Sequence, residues 1–440
     1  MRRNTNDRLV RLEPGKPRGA VASSGRTRLA MLALVCALTP CLVRAQTVPL
    51  GFSAGPGVNV EHDSNFFNAA EGSGVPIAGE TLVTASLLAA LHEVYSRQDV
   101  SVTGSLGRVH YLHNHQYDFT QENLAATLSS NLPFDINTTV SVNRANHLAR
   151  FSDLGNANRD VISNTGANAT IDFPVWVDWR GVFGGSAAHT RNSATIYESQ
   201  NLNTADINGG VRYQPRTGNH IDLLVRNDHG SYPQGSGSPF ISPGYRERGA
   251  DLNITWTFDG ASTARGRAGY LKRNNDPLVY PTGCLVFPVF CLGPNAQLSR
   301  DFSGPAYDLS YTWQATAATQ LNLSASRSTG AAGDNNYLSA QSKSFRIAPS
   351  YQLSSKIQLG VSADWSKRDY FTYVLDIVEG LPLGTAREDT SHSVGLNGSW
   401  SPWRWLKATL DAHRDRRDSN QAGYSFTGNV VSLGVQGSFY

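Results

Sequence analysis

Long apolar runs are nearly missing from this chain of 440 residues. The one that stands out, Leu29 to Val43, covers fifteen residues and is interrupted by Pro40, too short for a helix that crosses a bilayer. Lysine is scarce: only five of the residues after Ala45 are Lys. Methionine occurs twice and cysteine four times, and charged residues make up 17% of the chain. No apolar pattern of helical period runs for any useful length, which excludes a helical bundle or an alternating α/β fold. What remains abundant is Gly (41), Tyr (17), Trp (8) and a background of Asn, Ser and Thr, a composition that points to strands.

The first segment stands apart from the rest. Arg26 and Arg28 precede the apolar stretch and Val43-Arg44-Ala45 closes it with small residues, the anatomy of a cleavable secretory signal. Residues 1–45 are therefore expected to be a signal peptide and residues 46–440 a single mature domain. Nine basic and two acidic side chains leave with the signal, so 29 basic residues face 33 acidic ones in the remainder. The basic balance of the whole chain belongs to the leader, and no nucleic-acid partner is expected. Cys36 and Cys41 leave too, which makes Cys284 and Cys291 the only thiols of an exported protein. A disulfide between them is expected in the polar segment from Pro277 to Leu298, two independent thiols being the alternative.

The body alternates apolar and polar residues in stretches of roughly ten, as a barrel facing lipid outside and water inside requires. Leu252, Ile254, Trp256 and Phe258 interleave with Asn253, Thr255 and Thr257; Ile357, Leu359, Val361, Ala363 and Trp365 interleave with Gln358, Gly360, Ser362 and Asp364. A soluble sandwich also alternates, and the connections decide between them. Short turns recur near Ser96, Pro133, Val177, Arg216, Asp259, Thr316, Ser355 and Pro402, with longer polar segments such as Phe66 to Gly79 and Thr372 to Ala386 between them. Short turns on one side and long loops on the other are the habit of outer-membrane barrels, the short side periplasmic. The expected fold is all-β: one closed, antiparallel transmembrane barrel of about 18 strands. Trp176, Trp179, Trp256, Tyr351, Trp400, Trp403 and Trp405 fall near strand ends, where an interfacial girdle sits. The final alternation, Val431 to Phe439, resembles the terminal strand read by the barrel-assembly machinery, which is the expected assembly partner beside outer-membrane lipid.

Candidate chemistry was sought along the same strands. Gly51-Phe52-Ser53-Ala54-Gly55 matches a nucleophile-elbow pattern, but no helix follows to expose the serine. His110, His113 and His115 are near neighbours in the sequence, more simply read as a solvated loop than as metal ligands. A barrel-embedded hydrolase needs a Ser/His or Asp/His pair meeting across strands, and Asp411 with His413 is a candidate only in that both point inward. The inward positions also carry ionisable groups of both signs: Arg212, Asp222, Arg226, Arg265, Arg267, Asp364 and Asp411. These are the expected lumen-lining residues, because unpaired charge is excluded from an apolar core. Mixed charge argues against strong anion or cation selectivity. No catalytic residue, metal or cofactor is expected.

Short motifs recur in order along the chain: Asp63-Ser64-Asn65-Phe66-Phe67, Tyr95-Ser96-Arg97-Gln98, Gly230-Ser231-Tyr232-Pro233, Gly269-Tyr270-Leu271-Lys272-Arg273 and Arg300-Asp301-Phe302-Ser303-Gly304. Lys367-Arg368-Asp369-Tyr370, Arg387-Glu388-Asp389 and Arg417-Asp418-Ser419-Asn420 before Tyr424 continue the series. In this order they are similar to those of the EpsL-type outer-membrane proteins encoded in exopolysaccharide operons, within the wider group of β-barrel porins. The resemblance implies a non-catalytic conduit or scaffold for an exopolysaccharide, with the polymer and periplasmic export components as partners. A general diffusion porin is the alternative from the residues alone, and an outer-membrane enzyme the third.

Overall fold

The computed structural model describes residues 50–70, 73–151, 157–215, 218–235, 243–276, 301–330, 337–372 and 387–439. The signal segment and the Cys284/Cys291 segment both lie outside the described residues. Eighteen strands follow one another. The first six are β1 (Gly51–Asp63), β2 (Glu80–Tyr95), β3 (Gln98–Tyr111), β4 (Phe119–Leu132), β5 (Ile136–Leu148) and β6 (Val161–Trp176). The next six are β7 (Trp179–Asn192), β8 (Leu202–Tyr213), β9 (His220–Ser231), β10 (Gly244–Thr257), β11 (Ser262–Asn275) and β12 (Phe302–Gln314). The wall continues through β13 (Thr319–Gly330), β14 (Tyr337–Ser354), β15 (Ile357–Thr372), β16 (Glu388–Trp403), β17 (Leu406–Ser419) and β18 (Phe426–Gly437).

Each strand pairs antiparallel with its sequence neighbours, and β1 closes the wall on β18 over Gly57↔Gln436 to Asp63↔Val430. An isolated bridge between Ala54 and Phe439 extends the seam. No helix among the described residues is long and apolar enough to cross a membrane; the crossing is made by strands. Short turns gather at the end where β1 begins and β18 finishes, which is the periplasmic end. The β2–β3 turn needs only Ser96 and Arg97, with Ser96 at φ 56°, the sign that two-residue hairpins demand. Gly260 in the β10–β11 turn adopts φ 77°, where a side chain would be strained.

The register differs from the sequence expectation at one turn. β16 does not stop at Ser401 but runs through Pro402 to Trp403, and the turn is Arg404-Trp405. A register shift between Trp400 and Trp403 accommodates Pro402, which has no N–H to give to the ladder.

Alternation sorts the side chains into two faces. Leu252, Leu309, Val361, Leu396 and Leu433 are all 40–61% exposed, a continuous apolar outer surface that only lipid can cover. Trp176, Trp400, Trp403, Trp405 and Phe439 are likewise exposed at the periplasmic ends of their strands, the place of an aromatic girdle. A shallow apolar cavity of about 430 Å³ lined by Trp179, Val211, Tyr213, Ile221 and Leu223 opens on this outer face. The opposite face is polar and surrounds the lumen.

Val361 lies midway along the apolar part of β15 and faces outward, and Ser362 follows it facing inward. Val361→Arg is expected to lower folding stability in lipid vesicles by about 2–4 kcal/mol, the cost of a guanidinium near the bilayer midplane, and Ser362→Arg by much less. Urea titration of the refolded barrel measures both; equal losses would mean that the two positions do not face different solvents, and a larger loss at Ser362 that the faces are exchanged.

Candidate functional site: the lumen wall and its mouth

The inward positions form three distinct surfaces. The first is ionic and begins at the periplasmic end. Arg180 on β7 reaches Asp172 on β6 and Asp135 in the β4–β5 turn. Arg212 on β8 lies beside it, with Nη1 3.3 Å from Asp172 and Nε and Nη2 donating to the two oxygens of Asp222 at 2.7 and 2.9 Å. Cross-strand register makes this geometry: Arg180 stands opposite Arg212, and Arg212 opposite Asp222, so Asp172 falls between two cations. A second group sits farther along β9 to β11. There Arg226 binds Asp228, Glu247 at 2.9 Å and Asp251 at 2.8 Å, and Glu247 also accepts from Arg273 at 2.7 Å. Arg267 is 3.9 Å from Asp251. Glu247 and Asp251 are almost wholly buried, and a buried charge persists only with such partners.

All seven inward positions named from the sequence share the polar face. Arg212, Asp222, Arg226 and Arg267 enter the two networks. Asp364 binds Arg346 at 2.9 Å. Arg265 is exposed to the lumen and forms no ion pair among the described residues. Asp411 lies 2.8 Å from His413, whose other ring nitrogen is 3.6 Å from Asp415. That histidine is thus held by two carboxylates, not between a carboxylate and a hydroxyl as hydrolysis would need. Ser53 sits in regular β1, paired with Ala90, and not on a strained elbow.

The second surface carries no ionisable side chain. From residues 101–107 on β3 across 121–131 on β4 and 137–145 on β5 to 164–170 on β6, the inward residues are Ser, Thr, Asn and Gln with Gly and Ala between them, His147 lying beyond this stretch toward the mouth. Their side chains bond to each other: Asn123 to Ser105 at 3.3 Å, Thr127 to Ser141 at 3.2 Å, and Asn131 to Asn137 at 2.8 Å. Such an arc offers donors and acceptors without net charge.

The third surface is the extracellular mouth. Phe66 and Phe67 from the β1–β2 loop, Tyr117 from the β3–β4 loop and Phe151 after β5 pack against inward Val109, Tyr111 and Phe119. Ring centroids lie 5.0–6.2 Å apart, each such pair contributing about 0.5–1.5 kcal/mol beyond its buried area. Asn65 fixes the loop by holding the N–H and C=O of Ala69 and the C=O of Thr427. Nearby, burial works to raise the Asp118 carboxyl, but the Tyr111 N–H, His110 and Arg108 outweigh it and hold it below the usual range. His110, His115 and Asp118 come together at this rim, whereas His113 turns away to Glu80 at 3.2 Å.

Several motifs of the sequence prove to be anchors of this end. Arg387 is fully buried between the rings of Tyr424 and Tyr370, 3.6 and 4.4 Å from their centroids. It binds Asp389 through both carboxylate oxygens at 3.0 and 2.6 Å. Arg273 stacks on Tyr245 at 3.9 Å and lies 5.2 Å from the ring centroid of Phe302. The residues that sequence reasoning missed are Asp172, Arg180, Glu247, Asp251 and Arg346. Glu247 and Asp251 could have been found by extending the β10 alternation backward from Asn253.

The family described as "Putative beta-barrel porin 2" matches residues 295–439. Together with the closed wall and its apolar outer band, this fixes the class. The chain is an outer-membrane β-barrel. No curated protein matches it. Among solved structures it is similar to the outer membrane protein OpdK from Pseudomonas aeruginosa, at 11% identity and a TM-score of 0.45, over 88% of this chain and 99% of that one. OccK2 (OpdF) of the same organism, solved with glucuronate, gives 11%, 0.46, and 89% and 100%. OccK5 (OpdH) gives 9%, 0.44, and 89% and 99%. At such identities no solute is carried over from them.

Two outcomes test the ionic surface. Arg226→Met leaves Asp228, Glu247 and Asp251 around an absent cation, and the urea midpoint is expected to fall by the equivalent of about 3 kcal/mol. An unchanged midpoint would mean that lumenal water serves these acids equally well. The second concerns acid. Arg180 holds the Asp135 carboxyl, in its periplasmic turn, below the usual carboxylate range. Its stabilising contribution is therefore complete above an unfolded value of about 4 and is lost as pH falls through the lower folded value. Asp135→Asn should flatten that part of the acid-stability curve relative to the native chain, and parallel curves would discount the pair.

Proposed function

We propose that this barrel is a passive porin, a channel for small hydrated solutes of little net charge. The observation that carries the proposal is the pairing of surfaces around one lumen: an uncharged arc of hydroxyls and amides from β3 to β6, and an ionic wall whose charges largely neutralise each other. Eighteen strands lie in the size class that leaves an aqueous channel. A solute sliding along Ser105, Asn123, Thr127 and Ser141 meets hydrogen-bonding groups of the kind that replace its water shell, with no fixed charge to trap it. Conduction needs sites this weak.

A second proposal follows from the resemblance to EpsL-type proteins, that the solute is an exopolysaccharide on its way out. The uncharged arc favours it to the extent that a sugar chain is itself an array of hydroxyls. The two are separated by a deletion strain. Normal secretion of polymer with reduced permeability to small sugars supports the porin; retained polymer with unchanged permeability supports export.

The channel itself is tested in a planar bilayer. Ohmic conductance with a reversal potential near zero across a KCl gradient is expected, and neutral sugars should enter liposomes carrying the barrel. Replacing Arg265 and Arg267 together by Ser should move the reversal potential toward cation preference without preventing assembly, since both project into the lumen. A silent bilayer would overturn the channel reading.

A further inference from the structure

The outer face of the wall carries one row of cations opposed across strands that has no carboxylate within ion-pair distance among the described residues. On β9 to β12 the apolar surface ends, toward the extracellular side, at Val225, Ala250 and Tyr270, which stand side by side in the register. The next outward row is Asn227, Arg248, Lys272 and Ser303, again directly opposed across the strands. One row higher, Arg246 stands between His229 and Asn274. Arg246, Arg248 and Lys272 are exposed, and among the described residues none of them meets a carboxylate. The exposed Asp276 follows Asn274 at the top of this face, its N–H on the Gly244 carbonyl, and makes no ion pair with the three cations; in the sequence, residues 232–243 and 277–300 contain no Asp or Glu.

Arg191 and Arg414 are single exposed cations elsewhere on this face, but Lys343 and Lys367, opposed in the same way, have acids beside them. Lys367 binds Glu388 at 2.8 Å and Asp369 at 3.3 Å, Lys343 is 3.7 Å from Asp369, and Arg416 binds Asp418 at 2.9 Å. Like charges directly opposed across a strand pair are destabilising, so Arg248 beside Lys272 is a cost unless an anion lies between them. Their height says which anion. Arg248 is eight residues above Trp256 at the periplasmic end of β10, roughly 20 Å along the membrane normal for a tilted strand. That is close to the top of an apolar band about 25 Å tall, where headgroups begin.

We propose that this face binds the phosphorylated headgroup of an outer-leaflet glycolipid, with phosphate on Arg248, Lys272 and Arg246. Its acyl chains lie along Leu223, Leu252 and Tyr270. The guanidinium fork and ammonium supply charge-assisted bonds to phosphate oxygens, Asn227 and Ser303 supply further polar contacts, and the apolar strip below accepts the chains. The site is on the outside of the wall and independent of what passes through the lumen.

The test uses the full folded barrel in detergent, titrated with bis-phosphorylated lipid A and with the same lipid after dephosphorylation, binding being read by native mass spectrometry. Loss of phosphate should weaken binding by at least about tenfold, the equivalent of one charge-assisted hydrogen bond. This arm uses the native chain and decides the matter even if a variant misfolds. The double variant Arg248→Asn, Lys272→Asn should lose the same preference, Arg248→Lys should largely keep it, and Lys343→Gln with Lys367→Gln should leave it unchanged. The unheated mobility of each variant on a gel reports that it is folded. Equal binding of the two lipids, or an unaltered preference in the double variant, would overturn the proposal. So would full competition by inorganic phosphate, which would mark a site for the free ion.

Discussion

Everything in this molecule depends on the backbone ladder being closed. In hydrocarbon an unpaired N–H or C=O has no water to turn to, so a strand with a free edge cannot stand there. β1 meets the requirement by pairing on both sides, with β2 along its whole length and with β18 from Gly57 to Asp63. The approach at the seam is close: a Cβ on Gly55 would fall 2.0 Å from the carbonyl oxygen of Gly437. Glycine there is a condition of closure.

Once the wall is closed, alternation assigns every residue to one of two solvents, and the two faces then obey opposite rules. Outside, apolar side chains remain exposed because lipid covers them. Inside, the polar groups solve their desolvation in two ways. The wall from β6 to β11 builds shared ion pairs in which one carboxylate serves two arginines, as Asp172 serves Arg180 and Arg212. The arc from β3 to β6 avoids charge and lets hydroxyls and amides bond to one another. The aromatic cluster at the mouth is a third device, a small dry core assembled where loops fold inward over the wet one.

The strand framework could be read from the chain because its signals are local: a two-residue period and turn residues at regular spacing. The inward direction of Arg265, Arg267 and Asp364 followed from the same period. What could not be read is anything that depends on register. Arg180 and Asp172 belong to two strands of one hairpin, but their meeting with Asp135 and Arg212 needs the relative slide of two further hairpins. The mouth cluster unites Phe66, Tyr117 and Phe151, which no periodicity links. The motifs that carried the family resemblance were visible as short strings, but their common purpose was not. Tyr370, the neighbours Arg387 and Asp389, and Tyr424 come from three separate segments and meet in one stack. The limit was distance along the chain and not ambiguity in any one segment.

The seam has a consequence in time. Every other strand pair joins neighbours in the sequence and can form as soon as a hairpin exists, but β1 must wait for β18, more than 360 residues later. Until that last strand arrives, the growing sheet has two open edges and cannot be left in lipid unattended. Local hairpins are fast to make, whereas a contact of such sequence separation carries the full entropy of closing the loop. Closure is therefore a single event at residues 57–63 and 430–436, and shielding both edges until then protects the whole barrel by guarding two strands.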